Sequence, residues 1–421
     1  MTGLKILVAN KFWFRRGGLE RVMFDEITWL EAAGHEVGHF STRHPENDAS
    51  PWSDHFVPYL DLGVHSSLTH RQRALAAERA FWNLEAARRF ARLLRDFRPD
   101  VVHLHGIHRQ ISPSILVEAR RAGVPVVQTL HDYHPICASG DLLFAGSRAC
   151  DPPRCGPINV LPCALSGCVQ QSRAKSALAS AELLWRRWIV RYERLVDAFV
   201  SPSHFLARTV AAGGVRHRPI HVLPNAIPAR AGDGGGGAGE AFVFAGRLSP
   251  EKGLATLLRA VELARVPLLV AGSGPQRDHL VAQAPAGVRF LGRLGGDEVD
   301  RLIASCRAAV VPSEWAENAP MAVLEPMALG RPVVATRMGG IPEQVRDGKD
   351  GILVDPGDEL QLAAALRILA DDPGLALRLG RSARDRATSL FSPQTHLDGL
   401  LAIYSTVLRA VPRSRRESSG A

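Results

Sequence analysis

No uncharged apolar stretch in this chain approaches the roughly 18 residues that a membrane-spanning helix needs, so no spanning segment is expected. The opening MTGLKILVAN lacks a basic region followed by an apolar stretch and a small-residue cleavage site, and it reads as a buried strand. The expectation is a cytoplasmic protein, at most at the inner face of the membrane. No Asp-x-Asp occurs anywhere, so the carboxylate clamp that commonly holds nucleotide-bound Mg²⁺ or Mn²⁺ is missing. No basic segment is interleaved with aromatics in a way that argues for nucleic acid. What is present, 46% hydrophobic and 22% charged residues, excludes a disordered chain, a fibre and a small disulfide-stapled scaffold.

The 421 residues suit two domains of about 200 each. Short apolar runs rich in Val, Ile and Leu alternate with helical stretches: Lys5–Ala9, Val101–Leu104, Val124–Leu130 and Ala198–Ser201, then Ala241–Ala245, Pro267–Ala271, Val288–Leu291, Ala308–Val311 and Pro332–Ala335. Continuous apolar strands of this kind are buried on both faces of parallel sheets, so the expected class is α/β with two doubly wound, Rossmann-like domains. In residues 226–240 (AIPARAGDGGGGAGE) the Gly run has no side chains to bury, and the segment reads as a flexible linker between domains at 1–225 and 241–393. The pattern breaks at Phe391-Ser392-Pro393 and resumes over Thr395–Arg409, before a polar end at 413–421. Charge is uneven: 28 Lys and Arg face 20 Asp and Glu in residues 1–225, against 23 and 22 in 226–421.

Ligands of open α/β sheets bind beside the carboxyl ends of the strands. After Lys5–Ala9 comes Arg15-Arg16-Gly17-Gly18-Leu19-Glu20-Arg21, a strand-to-helix junction where backbone N–H groups can approach an anion. It lacks the Gly-Lys-Ser/Thr of a P-loop and is no G-x-G-x-x-G fingerprint. After Ala241–Ala245 comes Gly246-Arg247-Leu248-Ser249-Pro250-Glu251-Lys252-Gly253, two cations suited to a diphosphate. Gly272-Ser273-Gly274-Pro275 follows the next strand and would allow close backbone approach to a ligand. Glu317 follows the strand Ala308–Val311, and Glu325 lies two turns along an apolar helix, where a carboxylate needs a hydrogen-bonding partner such as sugar or ribose hydroxyls. Each feature alone reads equally as turn chemistry or a solvated face; together they specify an anionic diphosphate with many hydroxyls.

The Glu317–Glu325 segment resembles the E-x7-E element of retaining glycosyltransferases of family 4, the glycosyl transferases group 1, of GT-B fold. Residues 246–253 are similar to that family's G-R-L-x-x-E-K-G loop, and Val222-Leu223-Pro224-Asn225 to its (I/V)-P-N-G turn, with Ala226 where Gly is usual. Met338-Gly339-Gly340-Ile341-Pro342-Glu343 and Asp347-Gly348-Lys349-Asp350-Gly351-Ile352-Leu353-Val354 resemble two further segments. The resemblance is dense over 222–357 and thinner before. It implies a nucleotide-diphosphate sugar as donor, with Arg247 and Lys252 neutralising the diphosphate and Glu325 on the ribose. Glu317, with backbone amides at Asn318 and Ala319, would hold sugar hydroxyls. Gly17 and Gly18 would close over the phosphates, with Asn225, Gly246, Gly272 and Gly274 completing the donor site. It also implies no metal requirement and a C-terminal helix that crosses back to the first domain.

His131-Asp132 resembles the family's His-Asp pair after that strand, which would put His131 near the reacting face of the sugar. Retention in this fold is thought to proceed by same-face attack, the leaving phosphate taking the acceptor's proton, so no protein base is assigned. The readings are catalytic roles for His131, Arg247, Lys252 and Glu317 in transfer of a hexose to a glycan or polyprenyl-linked glycan, as in cell-surface polysaccharide assembly. The alternatives are an epimerase or phosphorylase on the same fold, which would release product without an acceptor, and a non-catalytic sugar-nucleotide-binding subunit. Cys137, Cys150, Cys155, Cys163 and Cys168 cluster after His131, and free thiols, disulfides or a structural zinc on the last four are all open, with a loop-ordering role favoured over catalysis. Cys306 reads as a core thiol. The acceptor side is basic, with Arg88, Arg89, Arg92 and Arg95 on one helical stretch. The segment Arg173–Val196, with Leu183, Leu184, Trp185, Trp188, Ile189 and four arginines, suits either an anionic bilayer or ordinary core packing.

Overall fold

The computed structural model describes residues 3–62, 69–145, 148–150, 154–228 and 239–410. Most of the expected linker (229–238) and the polar end (411–421) lie outside the described residues.

Two six-stranded parallel sheets organise the chain. The first holds β1 (Lys5–Ala9), β2 (Glu36–Phe40), β3 (Val101–Leu104), β4 (Val126–Thr129), β5 (Ala198–Ser201) and β6 (Ile220–Val222) in the order β6-β5-β4-β3-β1-β2. The second holds β7 (Phe242–Ala245), β8 (Leu268–Ala271), β9 (Val288–Gly292), β10 (Ala309–Val311), β11 (Val333–Thr336) and β12 (Gly351–Val354) in the order β9-β8-β7-β10-β11-β12. In both, the order reverses beside the first strand, the topological switch point at which a crevice opens.

The alternation along each strand explains the burial. In β1, Leu7 and Ala9 join Phe90, Leu93 and Phe97 of the helix Leu84–Phe97, while Ile6 and Val8 join Met23, Ile27 and Leu30 of the helix Gly18–Ala32. Both faces are covered, which is why KILVA reads as one apolar run. The internal strands match the expected runs to within one or two residues. The edge strand β9 matches as well, whereas β2, β6 and β12 are not among the expected strands, although β12 is the apolar GILV of a quoted segment. β2 carries Gly38, where a Cβ would sit 2.8 Å from the Phe97 ring, and β6 is only half-buried along its length.

The break at residues 391–393 is a helix restart: Ser392 Oγ accepts from the Thr395 amide at 3.1 Å, and Pro393 takes the first helical position. The new helix, Pro393–Ala410, buries Leu397, Leu400, Tyr404 and Val407 against the first domain's Ile6, Val8 and Met23. The chain thus crosses back, as the resemblance implies. Gly399 faces the domain junction, where a Cβ would lie 2.5 Å from Leu223.

Candidate active site

A cleft of about 1130 Å³ lies between the carboxyl ends of the two sheets. From the first domain, Gly17 and Gly18 open the helix Gly18–Ala32 onto it, with no side chain capping the helix start. A Cβ on Gly18 would meet nothing within 4 Å, so packing does not demand that glycine; its smallness leaves the helix's free N–H groups open to the cleft.

From the second domain come Gly246, Arg247, Lys252, Gly272, Gly274, Glu317 and Glu325. Gly272 and Gly274 line the cleft and also pack on the neighbouring loop. Their missing Cβ atoms would fall 1.8 Å from the Gly246 carbonyl oxygen and 2.3 Å from that of Leu248, so the close approach they permit is to the neighbouring loop. That contact fixes the Arg247 loop, with Leu248 N donating to Ser273 O at 3.0 Å and Gln276 N to Leu248 O at 3.1 Å. Arg247 itself is exposed, and among the described residues no carboxylate forms an ion pair with it. Lys252 Nζ lies 2.6 Å from Glu317 Oε1 and 5.3 Å from the Trp315 ring centroid, and Ser313 Oγ donates to the same carboxylate oxygen at 2.7 Å. Glu317 is buried, and its charge is balanced where it sits.

The loop carrying Glu317 is anchored from several sides. A Cβ on Gly339 or Gly340 would lie 2.1 Å from Glu317 O or 1.9 Å from Asn318 O, so the Gly-Gly pair lets the backbones touch. Asn318 Nδ2 donates to His131 O at 2.7 Å, Asn225 Nδ2 to Ala319 O at 3.0 Å, and Tyr133 Oη to Ala316 O at 2.7 Å. The Asn225 and Asn318 side chains and the Ala319 carbonyl therefore tie the loop to the first domain. The Glu325 carboxylate does line it, on the helix Met321–Ala328, but it already has a protein partner, the guanidinium of Arg21. Burial pushes the Glu325 pKa up, and Arg21 only partly offsets this.

His131 lies off the main cleft, in a recess shared with Leu19, which lines both. Its Nε2 lies 2.8 Å from His105 Nδ1. Burial holds its pKa below the ordinary imidazole value, so it is neutral at pH 7. Arg21 and Glu343, both in quoted segments, had no role assigned from sequence. The Glu343 carboxylate accepts from the amides of His204 and Phe205, each at 2.7 Å, capping a first-domain helix from the second domain.

Cys137, Cys150, Cys155, Cys163 and Cys168 all line one cavity of about 510 Å³, separate from the cleft, and every cysteine is a free thiol. Among the described residues no three cysteine sulfurs lie within 4.8 Å of one another. Burial pushes the thiols of Cys163 and Cys306 up to about 12, the range of inert thiols. In Arg173–Val196 the packing alternative holds for Leu183, which is buried, but Trp188 and Ile189 are 53% and 63% exposed. On the adjoining helix Leu161–Ser166, Leu161 and Leu165 are exposed as well. No helix among the described residues is long and apolar enough to cross a membrane.

Comparison with known proteins matches residues 17–226 to the glycosyl transferase 4-like domain and residues 239–372 to the glycosyl transferases group 1. The chain is 29% identical to the glycogen synthase of Mycobacterium tuberculosis over 93% of its own length and 92% of that protein. It is 30% identical to the MMP α-(1→4)-mannosyltransferase of Mycolicibacterium hassiacum, over 78% of this chain and 75% of that one. Among solved structures, sucrose-phosphate synthase of Thermosynechococcus elongatus aligns with a TM-score of 0.69 at 17% identity, covering 97% of this chain and all (100%) of that one. HepE of Anabaena, in complex with UDP and glucose, aligns with a TM-score of 0.61 at 18% identity, covering 96% of this chain and 100% of that one. The chain belongs to the glycosyl transferases group 1, the family-4 glycosyltransferases of GT-B fold.

Proposed function

We propose that this glycosyltransferase is retaining and metal-independent, moving a hexose from a nucleotide-diphosphate sugar to a glycan or lipid-linked glycan in cell-surface polysaccharide assembly. The observation that carries the reading is the pairing of Lys252 with Glu317, in one cleft with the exposed Arg247 and the open helix start at Gly17-Gly18. Arg247 and Lys252 neutralise the diphosphate as charge grows on the β-phosphate, with the Gly18 helix dipole adding to them. Glu317 accepts hydrogen bonds from hydroxyls of the transferred sugar, and its contact with Lys252 holds sugar site and phosphate site in register. Glu325 takes the ribose hydroxyls once Arg21 moves aside. The anomeric C1–O bond breaks while the acceptor oxygen bonds C1 on the same face, and the departing phosphate oxygen takes the acceptor's proton.

The first domain receives the acceptor, and its basic surface with Trp188 and Ile189 exposed favours peripheral contact with an anionic bilayer. We read the cysteine cavity as structural; its sulfurs as they stand do not form a four-thiolate zinc site, since no three of them lie within 4.8 Å of one another. Relatives named for glycogen synthesis and for GDP-mannose-dependent transfer, and a structural neighbour crystallised with UDP-glucose, recommend both uridine and guanosine donors for testing. The decisive experiment is a thermal-shift screen of nucleotide sugars followed by the anomeric configuration of the product by NMR. A donor at 100 times its Kd stabilises the native state by about 2.7 kcal/mol. Inversion at C1, or product formed without an acceptor, would refute the reading.

A further inference from the structure

Behind His131 the core of the first domain holds a buried carboxylate among histidines. Glu26, His103, His105 and His396 have side chains 2%, 0%, 1% and 4% exposed. A carboxylate so deep is costly unless every partner is arranged for it. The hydrogen-bond donors can be counted from the outside inwards. His396 Nδ1 lies 2.7 Å from the Pro224 carbonyl oxygen, which can only accept, so this nitrogen carries a proton. His396 Nε2 lies 3.0 Å from Glu26 Oε1 and donates to the carboxylate, making His396 an imidazolium. The other oxygen, Glu26 Oε2, lies 3.5 Å from His105 Nε2, an ion-pair distance without hydrogen-bond geometry, and both atoms are buried with no hydrogen-bond partner among the described residues. The charge of the carboxylate favours the tautomer of His105 that carries its proton on Nε2, facing Glu26, which turns the Nδ1 lone pair to His131 Nε2, 2.8 Å away. His131 is left with Nε2–H as donor and a bare Nδ1. His103 stands outside this line, its two nitrogens taken by Tyr404 Oη at 2.7 Å and Thr129 Oγ1 at 2.8 Å.

We infer that Glu26 and His105 are positioning residues that fix the tautomer of His131, so that its Nδ1 accepts a hydrogen bond from a hydroxyl of the transferred sugar. His396, delivered by the crossover helix, supplies the positive charge that keeps Glu26 ionised in the core. The inference rests on the reading that His131 faces that sugar. Its physical content is polarity: a carboxylate at one end of two imidazoles sets which nitrogen of each carries the proton. Burial keeps His105 and His131 neutral, as a one-proton relay requires.

The test is ¹⁵N–¹H correlation on the full wild-type chain labelled at histidine. His131 is expected in the Nε2–H form, with both nitrogens of His396 protonated; an Nδ1–H form of His131 overturns the relay. This readout needs no activity, so it stands apart from the glycosyltransferase reading. In transfer assays, Glu26→Gln and His105→Asn should each lower kcat by at least about tenfold at nearly constant donor KM, as loss of the correct tautomer does elsewhere. Placed in a His131→Ala background, the same changes should alter kcat less than about twofold. Equal losses with and without His131 would mean a merely structural role.

Discussion

Arg21 of the first domain reaches across the cleft and holds the Glu325 carboxylate of the second, 304 residues along the chain. Arg21 also lies 3.9 Å from Asp25 on its own helix, a partner to which it can withdraw. The pair occupies the place where the ribose is proposed to sit, so donor binding and this cross-domain bond compete for one carboxylate.

That competition separates two roles. Glu325→Gln should raise the donor KM about tenfold, the scale of about 1.4 kcal/mol for one hydroxyl contact to a charged acceptor. Arg21→Met should leave donor KM unchanged or lower it. If both substitutions raise KM equally and the double variant is no worse, Glu325 serves only to anchor Arg21. Steady-state kinetics on the three variants decide it.

Arg247→Ala and Lys252→Ala should each reduce kcat by at least about a hundredfold, the scale for one lost transition-state electrostatic contact. Lys252→Ala also strands the buried Glu317 carboxylate, so its melting temperature should fall, whereas that of Arg247→Ala should not. Wild-type turnover in either variant would remove the diphosphate role.

Transfer should survive saturating EDTA, and activity lost to EDTA and restored by Mg²⁺ would refute metal independence. Serine at Cys150, Cys155, Cys163 and Cys168 together should lower the melting temperature while kcat stays within about twofold, since these thiols line a cavity apart from the cleft. Elemental analysis of the purified protein reports whether zinc is present.

Stability should depend on pH through Glu26 and His396. Burial raises the Glu26 pKa, but the hydrogen bond and charge of His396 outweigh it and hold it below its ordinary value of 4.5, so its contribution is present above that pH and lost as pH falls through the lowered value. Burial lowers the His396 pKa, but Glu26 outweighs it and raises it above 6.5, so its contribution is complete below that pH and lost as pH rises through the raised value. Urea unfolding should therefore show greatest stability from this pair between about 4.5 and 6.5. His396→Asn should cost about 3–5 kcal/mol there by leaving a buried charge unpaired.

Vesicles rich in anionic lipid should sediment the wild-type protein, and a Trp188→Ser, Ile189→Ser variant should bind them several-fold less. Absence of wild-type binding at low salt would end the membrane proposal.

The interior strands were legible from sequence because both of their faces are buried, so KILVA or Val101–Leu104 announces itself in four or five residues. β2 and β6 were not, because their mixed sequences, EVGHF and IHV, carry no continuous apolar run, whereas the edge strand β9 was, through Val288, Phe290 and Leu291. The same contrast holds in the site. Gly339 and Gly340 stood out in the quoted motif, yet only the packing of their bare Cα atoms on Glu317 and Asn318 says what they are for.

Local composition thus determined the two doubly wound domains, the cationic loop from Gly246 to Gly253 and the placement of two glutamates at a strand's carboxyl end. Tertiary structure alone decided who meets whom across the cleft: Arg21 on Glu325, Glu343 on the amides of His204 and Phe205, and Glu26 between His105 and His396. Periodicity and turn chemistry act over a few neighbouring residues. A buried charge finds its partner wherever folding leaves one, and here those partners lie between 79 and 370 positions away.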